Sequence, residues 1–150
     1  MRRAVILLAT WGGTGYSPVA SGTVGTIAAI PLYLLLSRLS LPLYVLTVVT
    51  FIFLSCRIAG EAEEVFDEKD SGKIVIDEVA GFLVTMTGVS PSLVAIGAGF
   101  ALFRLFDIIK IEPARYFDRC GKGGYGVVLD DVAAGCYALI SLHLLLNLIS

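Results

Sequence analysis

The sequence predicts an all-α, membrane-embedded multi-helix bundle. Three observations carry this. Hydrophobic residues make up 57% of the 150 residues and charged residues only 16%, against about 25% charged in ordinary soluble domains. Mean hydropathy is +0.87. The apolar residues gather into long continuous stretches, and period-2 alternation is absent over any useful length, which disfavours β-structure. A chain of this length is expected to form one domain, 1–150. A soluble domain so small has a large surface to cover with polar groups, and the charges here are few for that. The composition excludes a disordered chain, which needs low hydrophobicity and high charge. A net charge of -2 and a pI of about 5.3 exclude a nucleic-acid binder of the basic-patch kind. The alternative is a soluble helical bundle with an unusually apolar core.

Along the chain, Arg2 and Arg3 precede a short apolar run, Ala4 to Ala9, which Trp11-Gly-Gly-Thr-Gly15 breaks. No cleavable signal peptide is expected. Five longer apolar stretches follow, roughly 24–36, 41–59, 74–89, 92–109 and 127–149. A bilayer core needs about 20 apolar residues per helix. The second, fourth and fifth stretches meet that comfortably; the first and third are short, Pro31 interrupts the first, and tilting, partial insertion or burial by neighbours stays open for both. Suppose the N-terminus is inside and every stretch crosses. Arg2, Arg3, Arg57, Lys69, Lys73, Arg104, Lys110, Arg115, Arg119 and Lys122 then fall on the inner side, and only Arg38 falls outside. That is a strong positive-inside bias. The acids, from Glu61 to Asp131, gather on the same side. The expectation is a multi-pass protein with one charged, cytoplasmic face. Glu61, Glu63, Glu64, Asp67 and Glu68 read as a solvated helix extension. Cys56, Cys120 and Cys136 stand far apart with no CxxC, so a zinc knuckle or redox pair has no support. The sole histidine, His143, reads as a packed residue in Leu-rich sequence.

The chemistry lies in acids that a membrane helix should not carry. Ile74-Val-Ile-Asp-Glu-Val-Ala-Gly81 resembles Val127-Val-Leu-Asp-Asp-Val-Ala-Ala-Gly135, with one residue inserted before the glycine. Each places two adjacent carboxylates near the start of an apolar helix. Adjacent helical residues point about 100° apart, so one pair cannot form a whole site, whereas two pairs and a third helix can surround an ion. The third helix has a candidate in Phe103-Arg-Leu-Phe-Asp-Ile-Ile-Lys110, where Arg104, Asp107 and Lys110 recur at i, i+3 and i+6, roughly along one face. Complementing the helix dipole explains one acid per helix but two less well. Ionisable groups at membrane depth are costly and usually functional. Clustered carboxylates repel unless a cation joins them, and a hard divalent ion with oxygen ligands, Mg²⁺ above all where phosphate is the substrate, is the natural partner. Asp77, Glu78, Asp107, Asp130 and Asp131 are therefore the candidate metal ligands. Two glycine-rich segments, Trp11–Pro18 and Ala20–Thr26, precede the first long apolar stretch; backbone N–H groups and Ser/Thr hydroxyls there suit an anion. No Walker pattern occurs. Gly121-Lys-Gly-Gly-Tyr-Gly126, just ahead of the second acid pair, either closes over the site or simply turns the chain.

Several of these blocks together resemble the phosphatidylglycerophosphatase A family: Thr14-Gly15, Ser17-Pro18, Gly22-Thr-Val-Gly25, both acid-pair blocks, Phe103–Lys110, Phe117-Asp-Arg119 and Gly123-Gly-Tyr-Gly126. Order and spacing agree from about residue 11 to 140. The resemblance implies a bundle of about five to six helices, a central one surrounded by the others, in the bacterial cytoplasmic membrane. It implies a Mg²⁺-dependent phosphoric monoester hydrolase that converts phosphatidylglycerophosphate to phosphatidylglycerol and inorganic phosphate. The family's acid-rich blocks fall on Asp77 and Glu78, on Asp107, and on Asp130 and Asp131. The chain departs from the family where Ser71 follows Asp70 in place of His, where Lys110 is followed by Ile-Glu-Pro113, and where Ser21 replaces a common Pro.

The working expectation assigns Asp77, Asp107, Asp130 and Asp131 to catalysis and metal binding, with Glu78 as a further ligand. Arg104, Lys110 and Arg115 stabilise charge on the phosphoryl group, and Thr14, Gly15, Gly22 and Thr23 hold its oxygens. Direct attack by water and a covalent route through Asp77 or Asp130 both remain open. No C-x₅-R loop, no D-x-D pair and no nearby His exists for other phosphatase chemistries. A phospholipid substrate and the membrane are the expected partners; no nucleic acid is. The rival from another class is a small cation-binding carrier or channel, whose acids would line a path through several depths. A CDP-alcohol phosphotransferase needs Asp-Gly ahead of Ala114-Arg115, which is missing.

Overall fold

The computed structural model describes residues 2–120 and 123–149. Gly121 and Lys122, and the side chain of Cys120, lie outside this description. Among the described residues there is no strand; the order is α1 (Arg2–Ala9), a 3-10 turn (Thr14–Tyr16), α2 (Ser21–Leu36), α3 (Leu41–Phe66), α4 (Ile76–Thr85), α5 (Leu93–Ile109), α6 (Ala114–Cys120) and α7 (Gly124–Ile149). The helix count exceeds the expected five to six because α1 and α6 form from segments too short to register as long apolar runs.

Local signals set the boundaries. Ser92 caps α5 by accepting the Ala95 N–H at 3.1 Å, and Lys110 ends that helix in the left-handed conformation (φ 48°). Pro42 stands in the first turn of α3, where its missing N–H costs nothing. The acidic tail of α3 continues the helix to Phe66, with Glu61 and Glu64 exposed. Pro31 does not interrupt α2, which runs through it; neighbours hold the helix together, and the Trp11 indole donates to the Ala28 carbonyl at 3.1 Å.

The centre of the bundle is α4. Nine of its ten residues are buried, and α2, α3, α5 and α7 pack around it. Tyr33, Phe82 and Phe103 form an edge-to-face chain across α2, α4 and α5, with ring centroids 6.3 and 6.5 Å apart. The Tyr33 hydroxyl donates to the Val89 carbonyl and that of Tyr44 to Leu83, at 2.8 and 2.7 Å. The tightest contact is between α4 and α7. A Cβ on Gly135 would lie 2.5 Å from the Gly81 carbonyl oxygen, and one on Gly81 would lie 2.7 Å from the Asp131 carbonyl oxygen. The glycines that close both halves of the internal repeat therefore let two backbones touch, a close-approach crossing typical of membrane bundles.

Among the described residues two helices, α3 and α7, are long and apolar enough to cross a bilayer. At 26 residues each they extend about 39 Å. Their flanks carry Leu41, Leu46, Phe53, Leu54, Ile140, Leu144 and Leu148 exposed, a surface suited to lipid rather than water. The fourth stretch, expected to cross comfortably, forms α5 of 17 residues, about 26 Å. The third forms the 10-residue α4, about 15 Å long and apolar beyond its first turn because protein surrounds it there.

Candidate active site

The carboxylates converge where α4, α5 and α7 meet. Asp77 and Glu78 occupy the first turn of α4, and Asp131 lies in the second turn of α7. One oxygen from each of these three falls within 4.8 Å of the others. The Gly81–Gly135 crossing, one turn away on both helices, sets that closeness. Asp77 Oδ1 and Glu78 Oε2 are buried and have no hydrogen-bond partner, an arrangement that costs on the order of 1–3 kcal/mol per group unless something fills it. Burial, and then the neighbouring Glu78, Asp131 and Asp130 carboxylates, push the Asp77 carboxyl well above the usual range. Asp107, on α5, stands within hydrogen-bond reach of Asp131 and pairs with Arg104 at 2.5 Å.

The start of α2 closes the other side. A Cβ on Gly22 would lie 2.3 Å from Glu78 Oε1 and 3.0 Å from Arg104 Nη1, so only a residue without a side chain lets this helix end abut both groups. Ala20, in the left-handed conformation, supplies no side-chain cap, which leaves the opening N–H groups of a 16-residue helix facing the cluster. The Arg104 Nε is also buried without a partner. The Ser21 hydroxyl donates to the Gly72 carbonyl at 2.7 Å, anchoring the helix start to the loop that leads into α4.

Other residues singled out in the sequence go elsewhere. Asp130 is buried but turns away from the three-carboxylate group and accepts from Lys110 Nζ at 2.9 Å. The same amine reaches Asp118 at 2.5 Å. Burial pulls the Lys110 amine down, but the hydrogen bonds and charges of Asp118 and Asp130 outweigh it and leave its pKa raised. Sequence reasoning missed Asp118, although it sits inside the Phe117-Asp-Arg119 block. It also missed Asp70, which with Lys69, Asp118 and Asp130 lines a narrow cleft beside Gly123 and Gly126. The Thr14 hydroxyl donates to the carbonyls of Thr10 and Trp11 at 3.0 and 3.1 Å, so it serves its own turn. Gly15 packs beneath the Lys73 carbonyl. Thr23 is half-buried on the first turn of α2, and Arg115 is exposed on α6, with no ion pair among the described residues.

Acceptor-only oxygens without partners, packed against an arginine and an open helix start, suit a hard divalent cation beside a tetrahedral anion. Fold and site thus define a membrane-embedded helical protein equipped for chemistry on a phosphorylated compound. Comparison with known sequences narrows the class. The phosphatidylglycerophosphatase A family matches over residues 7–146, and the chain belongs to that family of phosphoric monoester hydrolases. A phosphatidylglycerophosphatase A of Escherichia coli (strain K12) is 37% identical over 130 residues, covering 86% of this chain and 76% of the relative. One from Haemophilus influenzae is 38% identical over 136 residues, covering 89% and 83%. A Bacteroides thetaiotaomicron protein with a provisional phosphatidylinositol-3-phosphatase name is 37% identical over 143 residues, covering 90% and 89%. No solved structure matches the chain.

Proposed function

We propose that the protein hydrolyses phosphatidylglycerophosphate to phosphatidylglycerol and inorganic phosphate at the cytoplasmic face of the bacterial inner membrane, with Mg²⁺ as cofactor. The observation that carries the reading is the buried convergence of Asp77, Glu78 and Asp131, two of them with orphaned oxygens, against Gly22 and Arg104. Family membership supplies the reaction class, and the two relatives named phosphatidylglycerophosphatase A supply the substrate.

In this reading Asp77, Glu78 and Asp131 hold the cation, with Asp107 beside them. A bound divalent ion neutralises phosphoryl oxygens and acidifies water. The chain's own groups do the rest. Arg104 is held by Asp107 so that its guanidinium offers donors to the phosphate. The opening N–H groups of α2, at Ser21, Gly22 and Thr23, receive the remaining oxygens and fix the orientation of the phosphorus. Lys110, locked between Asp118 and Asp130, holds α5, α6 and α7 in register beside the site. The carrier alternative needs acids spread along a path. Here the clustered acids come from the first turn of α4, the second turn of α7 and the last turn of α5, which favours chemistry at one end of the bundle.

The test is phosphate release from phosphatidylglycerophosphate in detergent, with and without Mg²⁺, and with phosphatidylinositol 3-phosphate as the competing substrate. Asp77→Asn and Asp131→Asn are expected to abolish release while the helical circular dichroism persists. Activity that survives both substitutions, or EDTA, sinks the proposal.

A further inference from the structure

Beside the three-carboxylate group lies a second polar cluster, centred on Lys110. Its ammonium meets Asp118 of α6 at 2.5 Å and Asp130 of α7 at 2.9 Å. One amine neutralises one carboxylate. Charge balance alone asks only for Asp130, whose side chain is 8% exposed and needs a partner. Asp118 is in excess. What it adds is geometry. Lysine carries a point charge on a flexible four-carbon stem, and two acids from two helices hold that charge at one place.

The fold is fastened here by other means. Phe106 of α5 stacks on Tyr137 of α7, with ring centroids 5.7 Å apart, and the Tyr137 hydroxyl donates to the Glu112 carbonyl. These contacts tie the end of α5 and the loop after it to α7, about two turns beyond Asp130. Helix α6 packs on α7 as well. The side chains of Lys110 and Asp118 are 31% and 33% exposed, so their pairing adds little to stability.

The cluster leads instead into the site. Asp130 Oδ2 accepts from Lys110, and Asp130 Oδ1 accepts the backbone N–H of Asp131 at 2.9 Å. The carboxylate that Lys110 holds is thus bonded to the residue whose own side chain joins Asp77 and Glu78. Helix α5 grips both members of the α7 acid pair: Lys110 takes Asp130, and Asp107, three residues earlier, stands within hydrogen-bond reach of Asp131. The Gly81–Gly135 crossing decides which member faces α4, and the hold on Asp130 sets the fine angle. A carboxylate about 5 Å from a helix axis travels about 1 Å for each 10° of rotation, whereas metal-ligand distances hold to within about 0.2 Å.

We propose that Asp118 is a positioning residue for the metal-binding group: it fixes Lys110, Lys110 fixes Asp130, and Asp130 fixes the aim of Asp131. The inference rests on the function proposed above and adds to it a residue that touches neither cation nor substrate.

Isothermal titration of the purified chain in detergent with MgCl₂ measures the affinity, and the melting temperature is read on the same metal-free samples. Asp118→Asn is expected to weaken Mg²⁺ binding by about three- to tenfold, the least that loss of an outer partner costs a metal site, and to melt within a few degrees of wild type. Asp118→Glu, which keeps the charge, is expected to restore most of that affinity. The deciding variant combines Asp118→Asn with Asp130→Asn. With the Asp130 charge gone, loss of Asp118 is expected to add nothing, so the pair binds Mg²⁺ as Asp130→Asn alone does. Effects that multiply in the pair, unchanged affinity in Asp118→Asn, or a lost or destabilised fold in Asp118→Asn each overturn the proposal. Wild-type protein that binds no Mg²⁺ refutes the metal reading itself and this inference with it; wild-type binding that Asp118→Asn leaves intact removes the role of Asp118 alone.

Discussion

Gly22→Ala separates the two things this glycine does. The new Cβ would stand 2.3 Å from Glu78 Oε1 and 3.0 and 3.2 Å from the two terminal nitrogens of Arg104. Ordinary contact needs roughly 3.5 Å, so the carboxylate must retreat by about 1 Å. Its neighbours are the far ends of flexible side chains, so the fold yields easily. Alanine also favours the helix over glycine by up to about 1 kcal/mol, and thermal stability should change by no more than a few degrees. The site cannot yield so cheaply, because a displacement of this size at the reacting groups costs about 100-fold in rate, or about 2.7 kcal/mol. The assay is phosphate release at saturating Mg²⁺, paired with the melting temperature in the same detergent. Activity within threefold of wild type, roughly 0.7 kcal/mol, would show that Gly22 does not set the positions of Glu78 and Arg104. A rate loss that tracks an equal loss of stability would refute the argument from the opposite side.

Gly135→Ala should behave in the contrary way: its Cβ meets the Gly81 carbonyl at 2.5 Å, a backbone that cannot swing aside, and overpacking there should cost about 1–3 kcal/mol in denaturant or thermal unfolding. Asp131→Asn should weaken Mg²⁺ binding at least about 100-fold, more than loss of an outer partner costs. Asp130→Asn, which touches Lys110 rather than the cluster, should weaken it by less than about tenfold; isothermal titration with MgCl₂ compares the two. Because burial and its neighbours raise the Asp77 pKa, ionising it burdens the metal-free fold, whose stability should fall as pH climbs past the ordinary aspartate range near about 4. A cation prefers the ionised form, so Mg²⁺ binding should release protons and tighten with rising pH. Titrations in two buffers of different ionisation enthalpy measure that release, and its absence contradicts the sign.

Long apolar runs were readable as helices, and α3, α5 and α7 fall where the stretches lie. What composition could not separate was apolar residues facing lipid from apolar residues facing protein. The 74–89 stretch is short for a crossing segment, and of the alternatives open to it the structure takes burial: it forms a 10-residue helix enclosed by its neighbours. The acid pairs were legible through the internal repeat. Which member of each pair turns inward was not, because the 100° between neighbours is resolved only by the crossing at Gly81 and Gly135. That crossing sends Asp131 toward Glu78 and Asp130 toward Lys110. The company of glycines suggests Thr14 as an anion donor, but a hydroxyl three or four residues from open carbonyls satisfies itself locally, as it does with Thr10 and Trp11. Pro31 favours a break by its local chemistry; packing on α2 overrides that preference.

The pocket of carboxylates is assembled from α4 and from α7, which follows it only after α5 and α6. During synthesis, Asp77 and Glu78 leave the ribosome before Asp131 does. A nascent chain halted before α7 holds two of the three converging oxygens and lacks the surface that covers one side of α4. Arrival of α7 therefore both covers that side of α4 and completes the three-carboxylate group.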